Sequence, residues 1–253
     1  MRKMYKVALF ASHEPGLEVL KFLKEQNNLK ICNLYLTGKN KKIDKKLKSL
    51  SGLHNNNIFI EKSSYENEKH YKLFKKSNID CLITVFWPWI ISRKLFSHSK
   101  KTINFHPSFL PSYRGWYPHV HNIIDKTQSG VTLHELDDTA DSGRIWIQKK
   151  IKPETTDNAK DLYDRLQKEI VKLFKENWNK IRNNKIKPFN QSNINTSFKT
   201  KKDVQKYDFI EIDKKYVAKD LINILRARNF GNKSYAYFVE NGRKVFIKLS
   251  LTN

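Results

Sequence analysis

An asparagine and a histidine stand two residues apart in Ile103-Asn104-Phe105-His106-Pro107-Ser108, and the triplet Asp141-Ser142-Gly143 follows two further apolar runs. Alternate residues of a strand share a face, so Asn104 and His106 can converge on one atom. A carboxamide and an imidazolium both donate hydrogen bonds to a developing oxyanion, and a carboxylate beside an imidazole favours its charged form and can relay a proton. The set therefore suits a reaction that makes a negative oxygen and releases a proton. Pro107 stops the strand at the carboxyl edge of a sheet, where open α/β folds bind ligands, and Leu110-Pro111 and Arg114-Gly115 carry the chain onward as a loop. Taken singly, each residue also has a plain structural reading. Asp141 can be a turn residue before Gly143, and Asp137 and Asp138 read as turn formers.

The elements that must position these groups alternate between strand and helix. Tyr5–Ala11 is a continuous apolar run, Leu17, Leu20 and Leu23 have helical spacing, and Lys30–Leu36 returns to strand. Ile58–Glu61, Asp80–Phe86 and Thr102–Phe105 read as further strands, with a helix over Glu66–Lys76. This order predicts a parallel sheet covered on both faces, a doubly wound, Rossmann-like α/β core. Gly130–Leu136 and Arg144–Ile151 read as two strands joined by an exposed Asp-rich loop, followed by a helix over about 158–181. The core is expected over residues 1–182, and the Asn-, Ser- and Lys-rich stretch 183–205 as a linker. Residues 206–253 then form a small α+β piece, a helix over Val217–Arg226 and a hairpin turning at Asn241-Gly242.

Composition bounds the function. With 253 residues, 39% of them hydrophobic, the chain can bury one full-sized core. No run approaches the roughly 18 apolar residues of a membrane span, and the short apolar run after the basic N-terminus is too brief for a signal sequence. Cys32 and Cys81 lie in apolar strands without zinc-type spacing, so both are expected as buried thiols in a reducing cytoplasm. The net charge of +24 points toward polyanions, but only nine of the 49 basic residues are Arg and the Lys are dispersed. A solvated Lys-rich surface accounts for that pattern better than a nucleic-acid face. The densest run, Lys39–Lys48, reads as the exposed face of a helix or loop.

Together, Asn104-Phe105-His106-Pro107-Ser108-Phe109-Leu110-Pro111, Arg114-Gly115 and Asp141-Ser142-Gly143 resemble the signature of the folate-dependent formyltransferases. The resemblance covers about the first 180 residues and implies 10-formyltetrahydrofolate as donor, with no metal. It also implies the roles: Asn104 and protonated His106 donate to the oxygen of a tetrahedral intermediate, and Asp141 holds the imidazole and relays the amine proton. Folate recognition in that family relies on the loop after the preceding strand, here Phe86-Trp87-Pro88-Trp89-Ile90, with Asp138 and Thr139 of the Asp-rich loop beside the pterin. Trp87 and Trp89 are expected as an exposed pair flanking the flat ring, or else as caps on the core.

For the acceptor, three relatives compete. Glycinamide ribonucleotide transformylases carry a Gly-rich phosphate turn after the first strand, where this chain has Ala11-Ser12-His13-Glu14-Pro15-Gly16. Methionyl-tRNA formyltransferases carry a basic C-terminal barrel for which the tail of about 50 residues is too short. The tail, with Leu225-Arg226-Ala227-Arg228 before an aromatic hairpin, is similar to that of sugar N-formyltransferases. Those enzymes formylate nucleotide-linked amino-deoxy sugars for surface polysaccharides such as lipopolysaccharide O-antigen. By the same resemblance Ser12, His13, Arg114, Gly115 and Trp116 lie near the sugar. Arg226 and Arg228 would contact the pyrophosphate or pair with acids on the hairpin. The apolar hairpin is a candidate homodimer surface. A tRNA acceptor, or a non-catalytic nucleic-acid-binding module on the same fold, remains the alternative at this stage.

Overall fold

The computed structural model describes residues 3–192 and 197–252, so residues 193–196 of the expected linker lie outside the described residues. In chain order the first elements are β1 (Tyr5–Ala11), α1 (His13–Lys24), β2 (Leu29–Leu36), α2 (Lys41–Ser51), β3 (Ile58–Ile60) and α3 (Glu68–Ser77). Then come β4 (Cys81–Val85), α4 (Arg93–Phe96), β5 (Lys101–His106), β6 (Arg114–Gly115), α5 (Pro118–Ile124), β7 (Ser129–His134), β8 (Ile145–Ile151) and α6 (Ala159–Arg182). The rest is β9 (Phe198–Lys199), α7 (Lys201–Gln205), α8 (Ala218–Ala227), β10 (Asn229–Phe230), β11 (Lys233–Ser234), β12 (Tyr237–Glu240) and β13 (Arg243–Phe246). The expected strands and helices are all present within a few residues. The Lys-rich run belongs to α2, whose Ile43 and Leu47 are buried while its lysines are exposed.

One sheet of seven strands runs β3-β2-β1-β4-β5-β7-β8, with β1 to β5 parallel wherever they pair. The order reverses between β1 and β4, the switch point at which open α/β sheets bind ligands. Ser12, Phe86 and His106 lie at the carboxyl ends of β1, β4 and β5.

The chain divides into two compact units. The first comprises Met1–His106, Leu133–Ile147 and Ile170–Gln191. One face of its sheet packs Ala8, Phe10, Tyr35 and Leu82 against Phe74, Leu95 and Phe96, which come from α3 and α4. On the other face Phe105 and Phe22 meet Phe174, and Tyr5 meets Trp178, residues of α1 and α6. Strand alternation explains the division: Phe105 turns one way while Asn104 and His106 turn the other.

The second unit comprises Pro107–Thr132, Gln148–Glu169 and Ser192–Asn253. A small cluster of Ile210, Leu225 and Ala236 holds the tail together. The β12–β13 hairpin turns at Asn241-Gly242, both with positive φ, as a two-residue hairpin turn of this sequence requires.

The described residues of 183–205 carry short pairings. Phe189 forms an antiparallel bridge with Ile145, β9 pairs in parallel with β6, and Thr200 and Asp203 form a capping box on α7. Two-residue pairings carry no apolar periodicity, so the pattern reads as linker. Helix α5, with Pro118 in its first turn, and β6 are likewise absent from the sequence expectations.

Candidate active site

Register sets the site. On the paired strands β4 and β5, Thr84 lies opposite Asn104, and the Thr84 hydroxyl donates to the Asn104 carboxamide oxygen. That bond turns the amide nitrogen outward. Asn104 Nδ2 donates to His134 Nε2 at 2.9 Å and to Asp141 Oδ1 at 3.2 Å. His134 Nδ1 lies 2.7 Å from the Glu135 carbonyl oxygen, which can only accept. The proton therefore sits on Nδ1, and Nε2 offers the lone pair that Asn104 needs.

Around Asp141 Oδ1 stand the two imidazoles, His106 Nδ1 at 3.4 Å and His134 Nε2 at 3.5 Å. The His106 side chain is 5% exposed and that of Asp141 14%, so their interaction is little screened by water. Asn104, His106 and Asp141, expected to act together, do come together within the first unit. The structure adds His134 and Thr84, which the sequence reading did not single out. The one available signal for His134 was a titratable residue in a wholly buried strand. Both hydrogens of the Asn104 amide are engaged, so donation to a substrate oxygen requires Asn104 to release one of these partners.

The loop carrying Asp141 is tightly drawn. Asp141 has φ of +56°, a left-handed conformation that Asp tolerates better than most residues. Glu135 N donates to Arg144 O at 2.8 Å, and the Arg144 guanidinium grips the Glu135 carboxylate through two nitrogens. Asp138 accepts from Arg93 Nε at 2.7 Å, and the Thr139 hydroxyl donates to Ser142 Oγ. Both side chains are exposed.

The Phe86–Ile90 segment lies between β4 and α4, outside either element, and Phe86 has φ of +51°. Trp87 and Trp89 are half-buried, which suits the reading as caps on the core better than that of an exposed pair. Trp87 packs edge-on against Phe10, and its Nε1 donates to Tyr65 Oη at 3.3 Å. Trp89 meets Trp87 edge-on at 5.3 Å and carries Lys39 Nζ 4.8 Å above its ring. Pro88 is half-buried and Ile90 is 59% exposed.

Ser12 is buried at the N-cap of α1, and His13, with φ of +56°, opens that helix as an exposed residue. In the second unit Arg114 and Gly115 form β6, and Lys201 Nζ lies 4.0 Å over the Trp116 ring. Arg226 donates to the carbonyls of Glu154, Thr155 and Asp157 at 2.9–3.0 Å. Arg228, buried, donates through Nε to Asp208 at 2.6 Å. Both guanidinium groups are thus bound into the unit's own packing, and Asp208 is not a hairpin residue. Among the described residues no group of three or more His, Cys, Asp or Glu side chains is arranged to hold a metal ion.

Comparison with known proteins extends these observations. A curated relative from Mycobacterium tuberculosis, a dTDP-4-amino-4,6-dideoxyglucose formyltransferase, is 34% identical over 155 residues, 60% of this chain and 64% of that protein. The chain thus spans less than two thirds of that relative's length. A methionyl-tRNA formyltransferase from Sulfurihydrogenibium is 28% identical over 196 residues, 76% of this chain and 61% of that one. Among solved structures, a 4-N formyltransferase from Francisella tularensis superposes with a TM-score of 0.85 at 25% identity, covering 99% of both chains. The N-formyltransferase dimerization C-terminal domain matches residues 203–253. The formyl transferase model matches residues 21–177, which include Asn104, His106, His134 and Asp141, and the chain belongs to the formyl transferase family.

Proposed function

We propose that this protein transfers the formyl group of 10-formyltetrahydrofolate to the amine of a nucleotide-linked amino-deoxy sugar. The observation that carries the reading is the cluster of Asn104, His106, His134 and Asp141 at the carboxyl end of β5. The folate supplies the formyl carbon and leaves as tetrahydrofolate. Attack by a neutral amine gives an oxyanion and an ammonium. His106 donates to the oxygen, and Asp141, within reach of the imidazole, receives the proton the nitrogen must lose; as the carbonyl re-forms, the bond from the formyl carbon to the folate nitrogen breaks and that nitrogen takes the proton. Asn104, itself held by His134, donates to Asp141 and, once it yields one hydrogen bond, its amide joins the oxyanion donors. Residues 1–182 form the catalytic core in this reading. Phe86–Ile90, Asp138 and Thr139 border the pterin, and Ser12 and His13 border the sugar.

A sugar acceptor is favoured over tRNA by the mycobacterial relative. With 10-formyltetrahydrofolate, release of tetrahydrofolate is expected with dTDP- or GDP-linked amino sugars and not with methionyl initiator tRNA. Turnover with tRNA alone would transfer the reading to the methionyl-tRNA branch, and no turnover with either would end it.

The tail is proposed as a dimer surface. Val217, Ile212 and Phe246 are 68%, 54% and 59% exposed, an apolar display that a small unit leaves uncovered by itself. Light scattering on a sizing column is expected to give twice the 30.0 kDa chain mass. The pair Val217→Lys and Phe246→Glu should return the single-chain mass, and a wild-type monomer removes the proposal.

A further inference from the structure

We infer that Gln191 is a positioning residue of the formyl-transfer site, holding the Asp141–Gly143 backbone so that the Asp141 carboxylate meets His106. The inference rests on the proposed reaction for its effect on turnover, and on geometry alone for the hold itself. Gln191 Nε2 lies 2.8 Å from Asp141 O and 2.7 Å from Gly143 O. Both partners are carbonyl oxygens, which only accept, so the nitrogen and not the oxygen of the carboxamide must face them. One side chain thus spends its two amide hydrogens on the two carbonyls that bracket Ser142.

That hold acts where the backbone has most need of it. Asp141 is left-handed at φ of +56°, a conformation persisting only where the surroundings over-determine it. Its carboxylate lies 3.4 Å from His106 Nδ1 and accepts from Asn104 at 3.2 Å, so rotation of the peptide on either side would withdraw it. The reach of Gln191 is itself fixed. Phe189, two residues earlier, exchanges both backbone hydrogen bonds with Ile145, Ile145 N to Phe189 O at 2.8 Å and Phe189 N to Ile145 O at 3.0 Å. This pins the segment along the strand that emerges from the Asp141 loop. All of these residues lie in one compact unit. The Lys- and Asn-rich composition that makes the stretch look like a linker conceals a support of the reacting groups.

The chemistry of the hold predicts an order that mere space-filling does not. Gln191→Lys keeps donors on a long stem, Gln191→Ala removes them, and Gln191→Glu turns acceptors toward two carbonyls. Under saturating 10-formyltetrahydrofolate and amino sugar, kcat is expected near wild type for Lys, and reduced roughly 10- to 100-fold for Ala, the order of loss that a misplacement of about 1 Å produces. Glu should be at least as low as Ala. KM for both substrates should stay within about twofold. Hydrogen exchange followed by mass spectrometry should show faster exchange over residues 139–144 in the Ala variant and unchanged protection in β1 and β4. Wild-type kcat in Gln191→Ala, or Glu equal to Lys, overturns the inference, as does unchanged exchange in the loop. If Gln191→Ala does not fold, the Lys–Glu comparison decides. Wild-type protein that transfers no formyl group ends the proposed function, while the exchange experiment still tests the hold.

Discussion

His106→Ala is expected to lower kcat roughly 10³- to 10⁴-fold, the combined scale of a lost oxyanion donor and a lost proton-transfer partner. Asp141→Asn should cost about as much, because it keeps the side chain's shape while removing the charge that faces His106 Nδ1 and, in the proposed reaction, the base that receives the proton. Neither change should unfold the protein. Asn104 retains Thr84 and His134 as partners in both variants, and the sheet core lies below the strand end. The double variant is expected to be scarcely worse than either single one, since groups acting as one device lose their function once. Single-turnover formyl transfer, with thermal unfolding as the check on folding, measures all three. Activity within tenfold of wild type for either single variant would remove that residue from the chemistry, and additive losses would mean that His106 and Asp141 act independently.

What the sequence disclosed follows from which forces it writes down. Strands β1, β2 and β4 are mostly apolar because both faces of a parallel sheet are buried, and each was legible for that reason. The Asn241-Gly242 turn was legible because few other residue pairs tolerate two positive φ angles. Asn104 and His106 were legible as a pair because strand alternation fixes their shared face without any knowledge of the fold. The shared order of Asn, His and Asp supplied the rest of that triad, and it was resemblance rather than spacing that joined Asp141 to it.

The unread residues act through long-range contacts. His134 approaches Asn104 across 30 residues and Gln191 approaches Asp141 across 50, and neither separation leaves a periodic trace. Thr84 looks like any β-branched strand residue until register places it opposite Asn104. Trp87 was open to exposure or to capping the core; a left-handed Phe86 precedes it, and the indole packs on Phe10 and donates to Tyr65. Arg226 and Arg228 were open to a pyrophosphate or to acids on the hairpin. The carbonyls of residues 154–157 and the Asp208 carboxylate, none of them near in sequence, take them instead.

Gly143→Ala should nearly silence the enzyme while leaving most of its fold. A Cβ on Gly143 would stand 1.9 Å from the Glu135 carbonyl oxygen and 2.6 Å from its carbon, distances no packing can absorb without moving backbone. That same oxygen accepts from His134 Nδ1, and through it sets which nitrogen His134 offers to Asn104. One methyl group therefore strikes the site from two sides, pushing the Asp141 loop outward and unseating the carbonyl that orients His134. A loss of about 100-fold or more in kcat is expected, with about 1–3 kcal/mol of stability lost to overpacking. Gly242→Ala is the fitting control. Unlike Gly143 it has a positive φ, and a Cβ there meets nothing within 4 Å, so it should cost stability through backbone strain and leave kcat unchanged. Should Gly143→Ala retain wild-type turnover, the close approach of the two strand ends would not be what holds Asp141 and His134 in place, and the hydrogen bonds of Asn104 would have to do so alone.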